Sequence, residues 1–354
     1  MLSSSVLTTP ALRSIIAAGG NHSTYMKDSE ILRVAGNNNY GQITDANADY
    51  PTPQTLNETG VKQVACGSEH TVVLYEDGTV STVGRNIRGQ LGDGTNFNRS
   101  VLTQIAITNV ARIACGVNHT LFLKNDGTVQ SCGYNYFGQL GDGTVSDRNE
   151  PVDVLITGTV LDIAAGGSHT VFLMSDGTVK GVGYNSFGQL ANGNTTSSQT
   201  VVDGLISNVK QLSCGGSHSV FLLTDGTVKA VGYNAQGQLG AGLTGTSSSI
   251  LVDTGLTDIR FISCGLLHTV YVTNGRNVYA AGDNRYGKLG VTPTDKRISP
   301  VQISASDVIK ASAGGQHTML LQADGTVLTF GANTHGQLGK GDKVDSATPT
   351  VSLF

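Results

Sequence analysis

The chain has 354 residues, 38% of them hydrophobic and 14% charged, with 47 glycines, five cysteines, no tryptophan and a formal net charge of −4. Charge is well under the usual quarter and glycine above the usual ~7%, a bias toward tight turns rather than helices with charged faces. There is no basic stripe to hold nucleic acid, no apolar segment near the ~18 residues of a membrane span, and an odd cysteine count that argues against a disulfide framework.

The opening stretch, "MLSSSVLTTPALRSIIAAGG", has no basic residue before Arg13 and only a short apolar run, so no secretory signal is expected. From there a period sets in. His22, His70, His119, His169, His218, His268 and His317 follow one another at 48, 49, 50, 49, 50 and 49 residues. A fixed period in this range means a solenoid, a propeller or an array.

Each unit reads alike. In the second, "VKQVACGSEHTVVLYEDGTVSTVGRNIRGQLGDGT" (61–95) predicts a short inner strand ending at a glycine, then the histidine and a second strand, "TVVLY". An Asp-Gly turn, a third strand, a GxNxxGQLG loop and a fourth strand ("SVLTQI", 100–105) complete it. Asp77-Gly78, Asp126-Gly127, Asp176-Gly177, Asp225-Gly226, Asn274-Gly275 and Asp324-Gly325 are read as two-residue I′ hairpin turns. Only the first unit departs, with "KDSEIL" at 27–32, and no segment carries a sustained helical period.

Such a unit exposes apolar faces on both sides and needs neighbours; a ring leaves none uncovered. The expected fold is all-β: one closed seven-bladed β-propeller with four-stranded blades at about 11–59, 60–108, 109–157, 158–207, 208–256, 257–306 and 307–354. Ring closure predicts that "SSVL" (4–7) and "TPTVSLF" (348–354) pair within or beside one blade, since an open ring exposes a strand edge.

The "ACGSEHT" / "DGTV" / GxNxxGQLG cycle resembles the regulator-of-chromosome-condensation repeat family over essentially residues 11–354. Unit one (Gly41-Gln42-Ile43-Thr44), unit four (Ala191) and unit six (Lys288 for Gln) depart from its GQLG. The resemblance implies the propeller and little about activity. It implies guanine-nucleotide exchange on a small GTPase only where one blade makes a wedge-like excursion, and repeats of 48–50 residues leave no room for one. The light-sensing members use tryptophans, which are absent here. Inhibitory members cap an enzyme with aromatic loop residues.

The chemistry-bearing residues read mostly as structural. The loop "GYNYFGQLGDGT" (133–144) could pass for a phosphate loop, but it recurs in every unit with no helix after it, so its glycines serve turns and Asn135 bonds backbone. Metal ligands must converge on one ion, and seven equivalent histidines around an axis cannot; each is expected to bond protein atoms. His335 lies outside that set, on a loop. Cys66, Cys115, Cys214 and Cys264 share a position with Ala18, Ala165 and Ala313, a small apolar slot, and Cys132 sits two strands from Cys115, beyond disulfide reach. Asp93 and Asp142 offer too few oxygens for calcium. No catalytic residue, metal site or cofactor is expected.

What varies is the lettering inside the loops. Units three to five place Tyr134, Tyr136, Phe137, Tyr184, Phe187 and Tyr233 there; unit two has Arg85 and Arg88, and unit six Arg285 and Tyr286. Tyr with Arg is the composition of interface anchors. Either these rings form a partner-binding patch on one sector, or each packs on its own blade's turn. The functional expectation is a non-enzymatic protein-interaction or structural propeller that binds another protein, with no nucleic-acid or membrane partner. A virion or surface component is a narrower version, suggested by the Ser, Thr, Asn and Gly content; with no signal or membrane span expected, the sequence leaves the compartment open between cytoplasm and virion. A GTPase exchange factor and an enzyme-inhibitory propeller are the alternatives.

Overall fold

The computed structural model describes residues 15–27, 31–43 and 48–354. It is a ring of seven four-stranded antiparallel sheets, each with its strands in sequence order and none sharing a strand with another. Blade 2 runs Val61–Cys66, His70–Tyr75, Val80–Gly84 and Arg99–Gln104 from axis to rim. The other six repeat this plan, from Ile15–Ala18 in blade 1 to Ser346–Val351 in blade 7. Two faces follow. The turns after the inner strands and the long loops after the third strands share one, the loop face; the hairpins and the blade-to-blade connections share the other, the hairpin face.

Burial explains the strand sequences. Second strands such as His119–Lys124 are buried at every position but the last, because both their faces meet a neighbouring blade. They therefore read as continuous apolar runs, whereas outer strands such as Arg148–Asp153 alternate toward solvent. The core is split into seven layers, one per joint. Val72, Leu74 and Val80 of blade 2, for example, meet Ile113 and Phe122 of blade 3. Five of the seven prolines (Pro51, Pro53, Pro151, Pro300 and Pro349) lie in outer strands, where a missing N–H blunts an edge that could recruit another strand.

The histidines latch one blade to the next. His119 Nε2 lies 3.1 Å from Thr170 Oγ1. The same bond recurs at all seven joints, ending with His317 and Ser23 at 2.7 Å across the seam of blades 7 and 1. At six joints the hydroxyl also donates to a main-chain carbonyl in the previous blade's GQL or GKL segment, as Thr170 does to Gln139 O at 2.8 Å. One hydroxyl proton cannot serve both neighbours, so the imidazole Nε2–H is the donor to the hydroxyl oxygen. A Cβ on Gly116 would lie 2.2 Å from the His119 ring, which is why a glycine stands three residues before each histidine.

Closure is non-covalent and mirrors the other joints. Gly315 N donates to Gly19 O at 3.0 Å, Tyr25 OH to Gly325 O at 2.9 Å, and Asp49 holds His335 at 3.1 Å and Lys343 at 2.8 Å. Residues 4–7, expected to pair with the C-terminal end, lie outside the described residues. Ser346–Val351 pairs with its own blade's Val327–Gly331.

The hairpins correct the expected turn. Gly78 N bonds Tyr75 O and Tyr75 N bonds Thr79 O, and of the loop Glu76-Asp77-Gly78 only Gly78 has positive φ, at 81°. These are three-residue loops, a type I turn closed by a left-handed glycine, not I′ turns. Blade 6 has the same loop, but its Asn-Gly pair comes one residue earlier: Arg276 N bonds Thr273 O, so Arg276, not Gly275, takes the left-handed place, at φ 63°. A side chain there is strained, and its exposed pairing with Asp307 offsets little. Arg276→Gly is expected to stabilise the protein by about 0.5–1 kcal/mol. A lower melting temperature in that variant would mean the Asp307 contact outweighs the strain.

Candidate interaction surface

The GxNxxGQLG loop is a clasp between blades. In blade 3, Asn135 Oδ1 accepts from Leu140 N at 2.9 Å, and Gln139 Oε1 accepts from Phe137 N at 3.0 Å. Leu140 is fully buried. Gly138, at φ 81°, presses on the next blade: a Cβ there would lie 2.3 Å from Gln199 Cα. Asp142 accepts from Thr144, Asn135 and Arg148 (Nε at 2.7 Å), so its carboxylate is spent on its own loop. Every fixed letter is thus used for shape or joining.

The variable letters make the surface. Phe137 of blade 3 meets Tyr184 of blade 4 with centroids 4.7 Å apart, and Phe187 of blade 4 meets Tyr233 of blade 5 at 4.8 Å. Within blades, Tyr134–Tyr136 (6.4 Å), Tyr136–Phe137 (5.0 Å) and Tyr184–Phe187 (5.9 Å) complete an unbroken row of six rings. The Arg88 guanidinium lies over Tyr134 at 5.1 Å and closes one end. Tyr136 is 67% exposed and the other five are half-buried. The rings pack, but chiefly on one another and across joints. Among the described residues, the hydroxyls of Tyr134, Tyr136, Tyr184 and Tyr233 make no hydrogen bond.

Blade 6 breaks the pattern in two places at once. Asp283 stands where blades 3 to 5 have tyrosine, and Lys288 replaces the glutamine; both side chains are fully buried and paired at 2.5 Å. Arg285 adds two bonds to Asp283, at 2.9 and 3.0 Å, and Lys288 also reaches Gln316. Burial alone would raise the Asp283 pKa, yet bonds from Arg285 and Lys288 hold it at about 2. Burial lowers that of Lys288 against the pull of Asp283.

Among the other residues singled out by sequence, burial lowers the pKa of His22 and His119 to about 4 and of His70, His169, His218 and His317 to about 3. His268 is lowered in the same way, helped by the nearby Lys288. The cysteines are free thiols, and burial pushes Cys66 and Cys264 up to about 12, far from a nucleophilic thiolate. Thr120 pairs with Cys115 on one side and Cys132 on the other, placing a strand between them.

The comparisons bear on this surface only through the fold. The RCC1-like domain model matches residues 99–353, and the regulator of chromosome condensation (RCC1) repeat model matches 61–90. A secretion-regulating guanine nucleotide exchange factor of Bos taurus is 38% identical over 93 residues, 25% of this chain and 20% of that protein. The human X-linked retinitis pigmentosa GTPase regulator is 34% identical over 95 residues, 26% of this chain and 9% of its own length. The chain therefore spans a fifth or less of these relatives. A crystal structure of Kap60 bound to yeast RCC1 (Prp20) superposes with TM-score 0.82 at 18% identity, covering all of this chain and 90% of that one. Human WBSCR16 superposes with TM-score 0.77 at 24% identity, covering 87% of each. With a family model covering well over half of its length and seven matching blades, the chain belongs to the RCC1-like domain family.

Proposed function

We propose that this propeller is a non-enzymatic protein-interaction platform that binds its partner through the aromatic row of blades 3 to 5. The observation carrying this reading is the continuity of Tyr134, Tyr136, Phe137, Tyr184, Phe187 and Tyr233 across two joints, with the tyrosine hydroxyls left unbonded. Residues 184–202 and 233–252 contain no charged side chain, so the row is flanked by Ser, Thr, Asn and Gly. Rigid tyrosines among small polar residues are the composition of antibody paratopes. Loops held on a rigid scaffold are where binding residues concentrate.

Each buried ring contributes about 1.5–3 kcal/mol on a partner, so Tyr136→Ser/Tyr184→Ser is expected to weaken capture of the partner by roughly 100-fold or more. Capture is read from an extract of the source cells with wild type as reference, and the melting temperature reports folding. Unaltered capture by a folded double variant would leave the row without a role.

Exchange activity is the second reading, favoured by the name of the bovine relative. The loops between third and outer strands run 12–14 residues in every blade, which supplies no wedge. The expected result of a nucleotide-release assay with a small GTPase is the intrinsic rate. Acceleration would move the proposal to exchange.

A further inference from the structure

The hairpin face carries a feature of opposite character to the aromatic row. The inner strands begin on that face, and successive inner strands pack side by side around the axis. Their second and third residues therefore form an annulus at the mouth of the central shaft. That annulus holds Lys62, Arg112, Lys210, Arg260 and Lys310, contributed by five different blades, and all five reach water.

Its acidic residues are few and engaged. Asp162 pairs with Arg112 at 3.4 Å. Asp258 and Asp307, just before two of the inner strands, are engaged by hairpins: Asn274 Nδ2 of the same blade donates to Asp258 at 2.7 Å, and Arg276 of the preceding blade pairs with Asp307. The hairpin carboxylates Asp77, Asp126, Asp176 and Asp225 stand farther from the axis and accept from their own threonines. Lys62, Lys210 and Arg260 have no ion-pair partner among the described residues. Among the described residues, five cations against Asp162 give the annulus a net charge of +4, in a chain whose net charge is −4. Like charges gathered around a concave mouth focus their field and raise the local concentration of counter-ions. Lys310 reaches water, yet enough protein surrounds it to lower its pKa, as expected of a group in a recess.

We propose that this annulus is a binding site for a compact polyvalent anion, carrying several phosphate or carboxylate groups, seated at the hairpin-face mouth of the shaft. The ligand is small or thin, because the annulus is narrow and the carboxylate-bearing hairpins around it repel a polyanion laid across the whole face. The far end of the shaft offers it no counter-charge: the pocket of about 70 Å³ there is lined chiefly by glycines, cysteines and alanines, with no charged side chain. The site is on the face opposite the aromatic row and does not depend on it.

The test is calorimetric titration of the whole chain with inorganic tripolyphosphate and, separately, tetraglutamate, at low and at high salt. One-to-one binding that weakens steeply with salt is expected for one or both probes, and which of them binds separates a phosphate ligand from an acidic peptide segment. Lys62→Ala/Lys210→Ala/Arg260→Ala should weaken binding roughly 100-fold. These three side chains are exposed and have no ion-pair partner among the described residues, so thermal unfolding should not move, while Lys180→Ala/Lys229→Ala, at lysines paired elsewhere on the blades, should bind as wild type. Three results would each overturn the proposal: no binding of either probe at low salt, binding that survives the triple variant, and binding of a single-stranded DNA oligomer but of neither compact probe.

Discussion

The protein is expected to unfold cooperatively on acidification between pH 6.5 and about 4, near pH 5. All seven ring histidines are fully buried, and burial alone, or burial with neighbouring charges, sets their folded pKa values at about 3 to 4, or well below 6.5 for His268. In the unfolded chain they titrate near 6.5. Below that value the unfolded state binds protons that the folded state refuses, so stability falls as pH falls. Each histidine contributes about 1 kcal/mol of loss per pH unit, and seven together remove on the order of 10 kcal/mol by pH 5, comparable with the whole stability of a typical domain. The carboxylates held low, such as Asp93 and Asp142, lose their contribution only below about 3.8, beneath this window. Urea unfolding at pH 7, 6 and 5 reads the slope directly. A stability that is flat from pH 7 to 5 would show that the histidines are not held neutral. Protonation also strikes where it matters mechanically, since every imidazole latches one joint of the ring.

Much of this was legible in the residues. The spacing of the histidines, the Asp-Gly pairs and the recurring loop are enough for seven blades of four strands. The latch itself was less visible, because each histidine's partner lies in the next unit, although a Thr or Ser follows every ring histidine and could have pointed to it. The turn type was misread because Asp-Gly serves both a two-residue I′ turn and the last two places of a three-residue loop; only the φ of Asp77 separates them. The aromatic positions can be picked out of the loop lettering, but their contacts, Phe137 on Tyr184 and Phe187 on Tyr233, depend on ring orientations that spacing does not encode. The basic annulus escaped because Lys62, Arg112, Lys210, Arg260 and Lys310 are about 50 or 100 residues apart in the chain and form no basic run. Only the ring closure makes them neighbours.

Removing either partner of the blade 6 ion pair is expected to cost about 3–5 kcal/mol, because a charge is left buried without its counterpart. Lys288→Met leaves Asp283 facing Arg285 alone, and Asp283→Ala leaves the Lys288 ammonium, fully buried, with only Gln316. The main chain of Lys288 keeps the role its glutamine counterparts have, accepting from Thr318 at 2.8 Å, so the difference lies wholly in the side chains. Elsewhere that position is a glutamine whose Oε1 accepts from the loop N–H two residues earlier, and the Asp283 position is a tyrosine in blades 3, 4 and 5. The two departures therefore compensate one another: lysine cannot accept that N–H, and the aspartate gives its ammonium a partner instead. Asp283→Tyr/Lys288→Gln, which installs the blade 4 pair, should fold with a stability near wild type, since an apolar and neutral replacement of a buried ion pair is often neutral or better. Chemical unfolding of this double variant beside its component singles, Asp283→Tyr and Lys288→Gln, forms a double-mutant cycle, and the coupling between the sites should approach the sum of the two single losses. Additive losses would mean that Asp283 and Lys288 are held by their other neighbours and not by each other.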